Sequence, residues 1–163
     1  MSISFANLSD IREISRMANL IWHEYFYPDI LSIDQIEYML MKFQTERDII
    51  DQIQNHGYQY GFIFDGDKKA GYFAVHPEVN ALFISKVYLF KEFRGKGLGS
   101  ETLRELLELG KSQGLRRAYL TVNVNNLKAC KAYERNGFRI EKDVNTDIGE
   151  GYFMNDHIYE YVY

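Results

Sequence analysis

The sequence predicts a single α/β domain: a mixed central sheet of about seven strands, helices on both faces and an α-rich N-terminal third. Three observations carry that reading. Apolar residues at helical spacing fill the chain before any long strand appears. Two apolar, aromatic runs then flank Asp65-Gly66-Asp67-Lys68, a hairpin signal. Finally, the apolar run Ala81–Phe90 leads through a glycine-rich turn into a new helical pattern.

In chain order, Ile3 to Ala6 reads as a short strand. Ile11, Ile14, Ala18, Ile21, Trp22 and Tyr25 recur at helical spacing, with Ser9 or Asp10 as the cap. Pro28 interrupts that pattern. Ser32-x-x-Gln35 is a capping box for a second helix carrying Ile36, Leu40 and Phe43. Thr45 caps a third, which buries Ile49, Ile50 and Ile53 and stops at Gly57. Tyr58–Phe64 and Ala70–His76 form the hairpin. Ala81–Phe90 is largely apolar on both faces, as a central strand covered on both sides requires. The following helix carries Leu98, Leu103, Leu106 and Leu107 and ends near Gly114. Arg117–Val124 alternates as a strand, Asn125 and Asn126 start a helix that stops at Gly137, and Phe138–Asp143 is a strand. Asn145–Gly151 reads as a polar connection into a final strand, Tyr152–Tyr163.

The 163 residues suit one domain, 1–163, with a sizeable core. Hydrophobic content of 46% and charged content of 26% are those of an ordinary globular protein. No apolar run approaches the roughly 20 residues that span a membrane, so no membrane partner is expected. No signal peptide is evident, and the lone Cys130 has no partner for an internal disulfide, which suits a cytoplasmic location. Cys and His spacing offers no zinc site, and no metal is expected. The net charge of −4 argues against nucleic acid and leaves room for a cationic substrate.

The most informative turn is Arg94-Gly95-Lys96-Gly97-Leu98-Gly99-Ser100. Small residues let several backbone N–H groups converge, and the helix N-terminus adds unpaired donors and partial positive charge. The combination is an anion site, with phosphate the expected anion. Its spacing matches neither the Gly-x-x-x-x-Gly-Lys-Ser/Thr phosphate loop nor the Gly-x-Gly-x-x-Gly dinucleotide fingerprint. It fits Arg/Gln-x-x-Gly-x-Gly/Ala, with Arg94, Gly97 and Gly99 at the fixed positions. That pattern resembles the acetyl-CoA pyrophosphate loop of the GNAT superfamily of N-acetyltransferases. A second stretch, Asn126 to Phe138, resembles the superfamily's Asn-x-x-Ala-x-x-x-Tyr-x-x-x-Gly-Phe segment at every fixed position. A helix places Asn126, Ala129, Cys130 and Tyr133 on adjoining turns of one face.

The resemblance implies a GNAT-like fold, acetyl-CoA as cosubstrate and acetyl transfer to an amine. It implies a pyrophosphate cradle of Arg94, Gly95, Lys96, Gly97, Leu98, Gly99 and Ser100. It implies that Asn126 bonds a pantetheine amide, that small Ala129 lets the thiol arm pass, and that Tyr133 is the catalytic general acid for the leaving thiolate. A backbone N–H within Val87, Tyr88 and Leu89 is implied as the oxyanion donor, on a strand that splays from Arg117–Val124 to admit pantetheine. Lys91 joins the basic cluster at the turn, and Lys128 and Lys131 are candidates for the adenosine 3′-phosphate.

A narrower resemblance, to a bacterial subfamily near the spermidine/spermine acetyltransferases, rests on Ser85–Leu89, Thr121–Asn123 and Asp147–Met154. There the subfamily often continues Met-Asp-Asp-Tyr, whereas this chain has Met154-Asn155-Asp156-His157. A small-molecule amine or polyamine acceptor is therefore expected, with a protein lysine or N-terminus, or a non-catalytic acetyl-CoA-binding role, as alternatives. Trp22, Tyr25, Phe26 and Tyr38 are candidate walls of the acceptor site, and Glu24, Glu78, Glu150, Asp156 and His157 are candidate bases. The aromatic final strand is a candidate for pairing across a homodimer.

Overall fold

Side-chain caps punctuate the N-terminal third. The computed structural model describes every residue from Met1 to Tyr163. After strand β1 (Ser2–Phe5) come helices α1 (Ile11–Phe26), α2 (Ile33–Phe43) and α3 (Glu46–His56). Ser32 accepts from the Gln35 amide at 3.2 Å, and Thr45 from the Asp48 amide at 3.1 Å. Gly57 closes α3 at φ 76°, a conformation that glycine takes without a Cβ penalty.

Two caps differ from expectation. Neither the Ser9 nor the Asp10 side chain caps α1. Asn7 instead opens a 3₁₀ turn over Leu8–Asp10, and Asp10 bonds back to the Asn7 amide, a reciprocal box one turn early. Gln35 does not complete the Ser32 box. Its amide donates to the Phe153 carbonyl at 2.7 Å and ties α2 to the last strand.

Seven strands form one mixed sheet in the order β1-β2-β3-β4-β5-β7-β6. The hairpin strands are β2 (Gln59–Asp65) and β3 (Lys68–Pro77), followed by β4 (Ala81–Leu89) at the centre. Helix α4 (Leu98–Ser112) crosses to β5 (Arg117–Asn123), parallel to β4, and α5 (Leu127–Arg135) leads to β6 (Arg139–Gly149) and β7 (Tyr152–Val162).

Alternate residues of β3 serve opposite layers. Tyr72 and Ala74 pack with α1, α2 and α3, while Phe73 and Val75 pack with Leu103 and Leu106 of α4. Each fully buried Leu or Ile in these layers contributes about 1.5–3 kcal/mol. Polar atoms in the first layer are linked in series. Trp22 donates to the Tyr72 hydroxyl at 2.9 Å, which donates to Gln44 at 2.9 Å.

The C-terminal hairpin corrects two readings. Asn145–Ile148 is not a connection: β6 runs to Gly149, paired with β7 but for irregularities at Glu141 and Ile148, and the turn is confined to Glu150–Gly151. As an edge strand, β6 buries only Ile148, so its polar residues face water without leaving the ladder. Strand β7, in turn, lies between β5 and β6, so it has no free edge for pairing across a dimer; β1 and β6 hold the free edges.

Candidate active site

Strands β4 and β5 are paired only where Ala81–Phe83 meets Arg117–Tyr119. Beyond that point β4 follows β3, while β5 stays zipped to β7 as far as Asn123 and Asp156. A one-residue bulge helps. Ala74 faces Lys86 but Val75 faces Ile84, which leaves Ser85 as the extra residue on β4. The strands part, and a cleft of about 110 Å³ opens between them. The edge of β4 facing it carries backbone groups with no ladder partner. Val87 and Tyr88 line the cleft on one wall, Thr121 and Asn123 on the other, and Tyr133 of α5 reaches it too.

Of the expected aromatic walls, Trp22, Tyr25 and Phe26 line the cleft, clustered edge-on around Tyr88 at ring separations of 5.7, 6.0 and 5.8 Å. Tyr38 does not; it packs on Tyr152 and donates to the Ile148 carbonyl.

At the end of β4 the glycine turn begins. Gly95 and Gly97 have φ of 76° and 85°, and Gly97 caps α4 without any side-chain bond. The amides from Gly95 to Ser100 find no acceptor in the protein, so they form an open row of donors at a helix N-terminus. Lys91 and Lys96 are exposed beside it. Arg94 is folded back: its guanidinium donates to the Leu89 carbonyl at 3.0 Å and to Glu24 at 3.3 Å, and lies 4.8 Å above the Tyr25 ring. It braces the turn against α1.

Asn126 is the N-cap of α5. Its Oδ1 accepts from the Ala129 amide at 3.3 Å, and its Nδ2 donates to the Tyr25 hydroxyl at 2.8 Å. Lys128 and Lys131 are exposed on the same helix, and Cys130 is buried beneath it. Burial raises the Tyr133 phenol well above its ordinary pKa, so it carries its proton at neutral pH.

A profile of the acetyltransferase (GNAT) family matches residues 14–138. The chain belongs to this family. Membership brings the cosubstrate with it: this acetyltransferase uses acetyl-CoA as acetyl donor. The spermine/spermidine N(1)-acetyltransferase of Bacillus subtilis is 25% identical over 147 residues, 85% of this chain and 90% of that one. The mycothiol acetyltransferase of Corynebacterium glutamicum is 33% identical over 82 residues, 48% of this chain and 27% of its own. The PaiA N-acetyltransferase of Thermoplasma acidophilum, solved with coenzyme A, shares the fold over 100% of both chains, with a TM-score of 0.80 at 22% identity.

Among the candidate bases of this GNAT protein, only Asp156 lies in the cleft. Glu24 is held by Arg94 and by the Lys91 amide at 3.0 Å, Glu78 accepts from Tyr119, and Glu150 is exposed in the last turn. His157, next to Asp156, bonds Asp143. Lys86 is the cleft residue that sequence reasoning passed over. A lysine in the middle of an otherwise apolar central strand was the available signal. No group of three or more His, Cys, Asp or Glu side chains is arranged to hold a metal.

Proposed function

We propose that this acetyltransferase moves the acetyl group of acetyl-CoA to a primary amine of a small cationic molecule, with polyamines the leading class. Transfer is direct: the amine nitrogen attacks the thioester carbonyl, the C–N bond forms, and the C–S bond breaks. Tyr133 gives its proton to the departing sulfur. A backbone N–H of the unpaired β4 edge at Val87–Leu89 receives the developing oxyanion. The pyrophosphate rests on the amides of Gly95–Ser100 near Lys96, and pantetheine passes Ala129 and Asn126. Arg94 acts through the turn it braces, and Lys128 and Lys131 meet the 3′-phosphate.

The observation that carries this reading is the β4–β5 split. It gathers Tyr133, the free β4 edge and the aromatic walls Trp22, Tyr25, Phe26 and Tyr88 into one cleft. Aromatic faces attract alkylammonium ions, which favours a cationic acceptor over an anionic one. The likeness to a spermine/spermidine acetyltransferase points the same way. The test is an acceptor screen with acetyl-CoA and thiol detection, using spermidine, spermine, simple primary amines, neutral and anionic amines, and a lysine peptide. Turnover with polyamines or simple cationic amines supports the proposal. Turnover only with the peptide reassigns the acceptor to protein, and acetyl-CoA binding with no turnover at all leaves a binding module.

A further inference from the structure

The cleft contains one carboxylate and one ammonium group. Among its lining residues Asp156 is the single acid and Lys86 the single base. They come from opposite walls. Lys86 follows the Ser85 bulge on β4, and Asp156 lies on β7 opposite Asn123 of β5. Asp156 is only 6% exposed, yet its carboxylate makes no hydrogen bond or ion pair within the protein. Lys86 does not neutralise it by contact; its Nζ donates to Ser85 at 3.0 Å instead. A largely desolvated carboxylate with no donor from the fold costs stability, and its oxygens keep surface in the cleft from which to accept from a cation with N–H donors.

We propose that Asp156 is the catalytic carboxylate that holds the acceptor's ammonium group in the cleft and takes the proton that must leave before attack, with Lys86 as a positioning charge across from it. This rests on the amine-acceptor reading above. An alkylammonium acceptor gives up two protons on becoming an amide. The first passes to Asp156 and on to solvent. The second, released as the C–N bond forms, replaces the one that Tyr133 gives to sulfur. The sum is one amide, one free thiol and one proton released.

The cleft itself makes the first transfer feasible. In water an alkylammonium and a carboxylic acid differ by about six pH units, a steep barrier to proton transfer. Lys86 shows what this cleft does to an alkylammonium ion: burial pushes it down to about 8, against the opposing pull of Asp156. Burial pushes Asp156 up to about 6, against the pull of His157 and Lys86. The gap shrinks to about two units. The phenols around Asp156 do not compete for the proton. Tyr25 of α1, Tyr88 of β4 and Tyr133 of α5 are neutral phenols, their pKa values raised by burial. Gln35 of α2 and Asn123 of β5 carry no charge, and His157 is engaged with Asp143 of β6.

The test is kcat/KM against pH for the amine panel, spermidine included, with acetyl-CoA affinity measured by calorimetry. The parent should show an acid limb near pH 6. Asp156→Asn should lose that limb and about 100-fold or more in kcat/KM, with acetyl-CoA affinity kept within about two-fold. Lys86→Met should move the limb to higher pH, because a positive charge that favours the carboxylate is gone. A folded Asp156→Asn protein with the parent's rate and limb overturns the assignment. So does Lys86→Met with an unmoved limb, which decides the matter should Asp156→Asn fail to fold. If the parent binds acetyl-CoA but acetylates no amine, the acceptor reading falls and this one falls with it. If only the variants fail to behave as stated, the acceptor reading stands and Asp156 alone is withdrawn.

Discussion

The hydroxyl of Tyr25 accepts a 2.8 Å hydrogen bond from the side-chain amide of Asn126, 101 residues further along the chain. The bond joins α1 to the cap of α5, and both residues line the cleft. Asn126 is 8% exposed, so little water is at hand to replace a lost partner. Tyr25→Phe is expected to cost about 1–2 kcal/mol in urea unfolding. It should also weaken acetyl-CoA binding by about 1 kcal/mol, because the freed Asn126 amide no longer holds one orientation. An unfolding curve and a calorimetric titration superimposable on the parent's would count against the link.

The glycine turn yields a paired test. A Cβ at Gly97 meets no atom within 4 Å, so the site has room, but its φ of 85° strains any L-residue. Gly97→Ala should therefore cost about 1–2 kcal/mol of stability and retain acetyl-CoA binding. Gly97→Glu should abolish binding, because its carboxylate competes for the open amides of residues 95–100. Undiminished acetyl-CoA affinity in the Glu variant would remove the turn from the cofactor site.

For Tyr133 the informative change is Tyr133→Phe, which keeps the ring against Phe138 and Tyr159 and removes only the hydroxyl. Single-turnover acetyl transfer should fall by about 10²–10⁴, with acetyl-CoA affinity nearly preserved. Lost affinity with an intact chemical step would place the hydroxyl in binding instead.

The cleft charges predict a pH-dependent stability. The folded state raises Asp156 from 3.8 to about 6, so its contribution is fully present below pH 3.8 and lost as pH rises through 6. Lys86 is lowered from 10.5 to about 8, so its contribution is present above pH 10.5 and lost as pH falls through 8. Near neutral pH both residues oppose folding. After a discount for solvent in the cleft, Asp156→Asn and Lys86→Met should each raise unfolding free energy there by about 1–2 kcal/mol. For Asp156→Asn the gain should vanish near pH 4, and urea titrations at the two pH values measure it. A loss of stability at neutral pH would mean that the two charges support each other more than burial penalises them.

How much of this was legible in the sequence depends on how local each feature is. The glycine turn and the Asn126–Phe138 segment are contiguous, and each was readable because its chemistry sits within a few turns of one element. Caps such as Thr45 and stops such as Gly57 were readable for the same reason. The extent of β6 was not, because pairing with β7, rather than the polar residues Asn145 to Asp147, decides where it ends. The role of Arg94 was only half visible: its brace to Glu24 depends on α1, 70 residues away. Lys86 and Asp156 become neighbours of one cavity only through the bulge at Ser85 and the placement of β7 beside β5. Five carboxylate or imidazole groups looked equal in the sequence, and only tertiary placement separates them.

The three residue pairs that join β4 to β5 also set how the molecule comes apart. They leave two leaves, β1 to β4 with α1 to α3 and β5 to β7 with α5, hinged at one end and otherwise joined by side chains, among them the apolar cluster under α4, the Gln35–Phe153 bond and the Tyr25–Asn126 bond. Each leaf has its own antiparallel ladder, whereas the hinge has almost none. Amide hydrogen exchange should therefore resolve two cooperative units, with opening of the leaves costing less than melting either one. A molecule lodged between the leaves would bind both, and protection across the two units should then rise together.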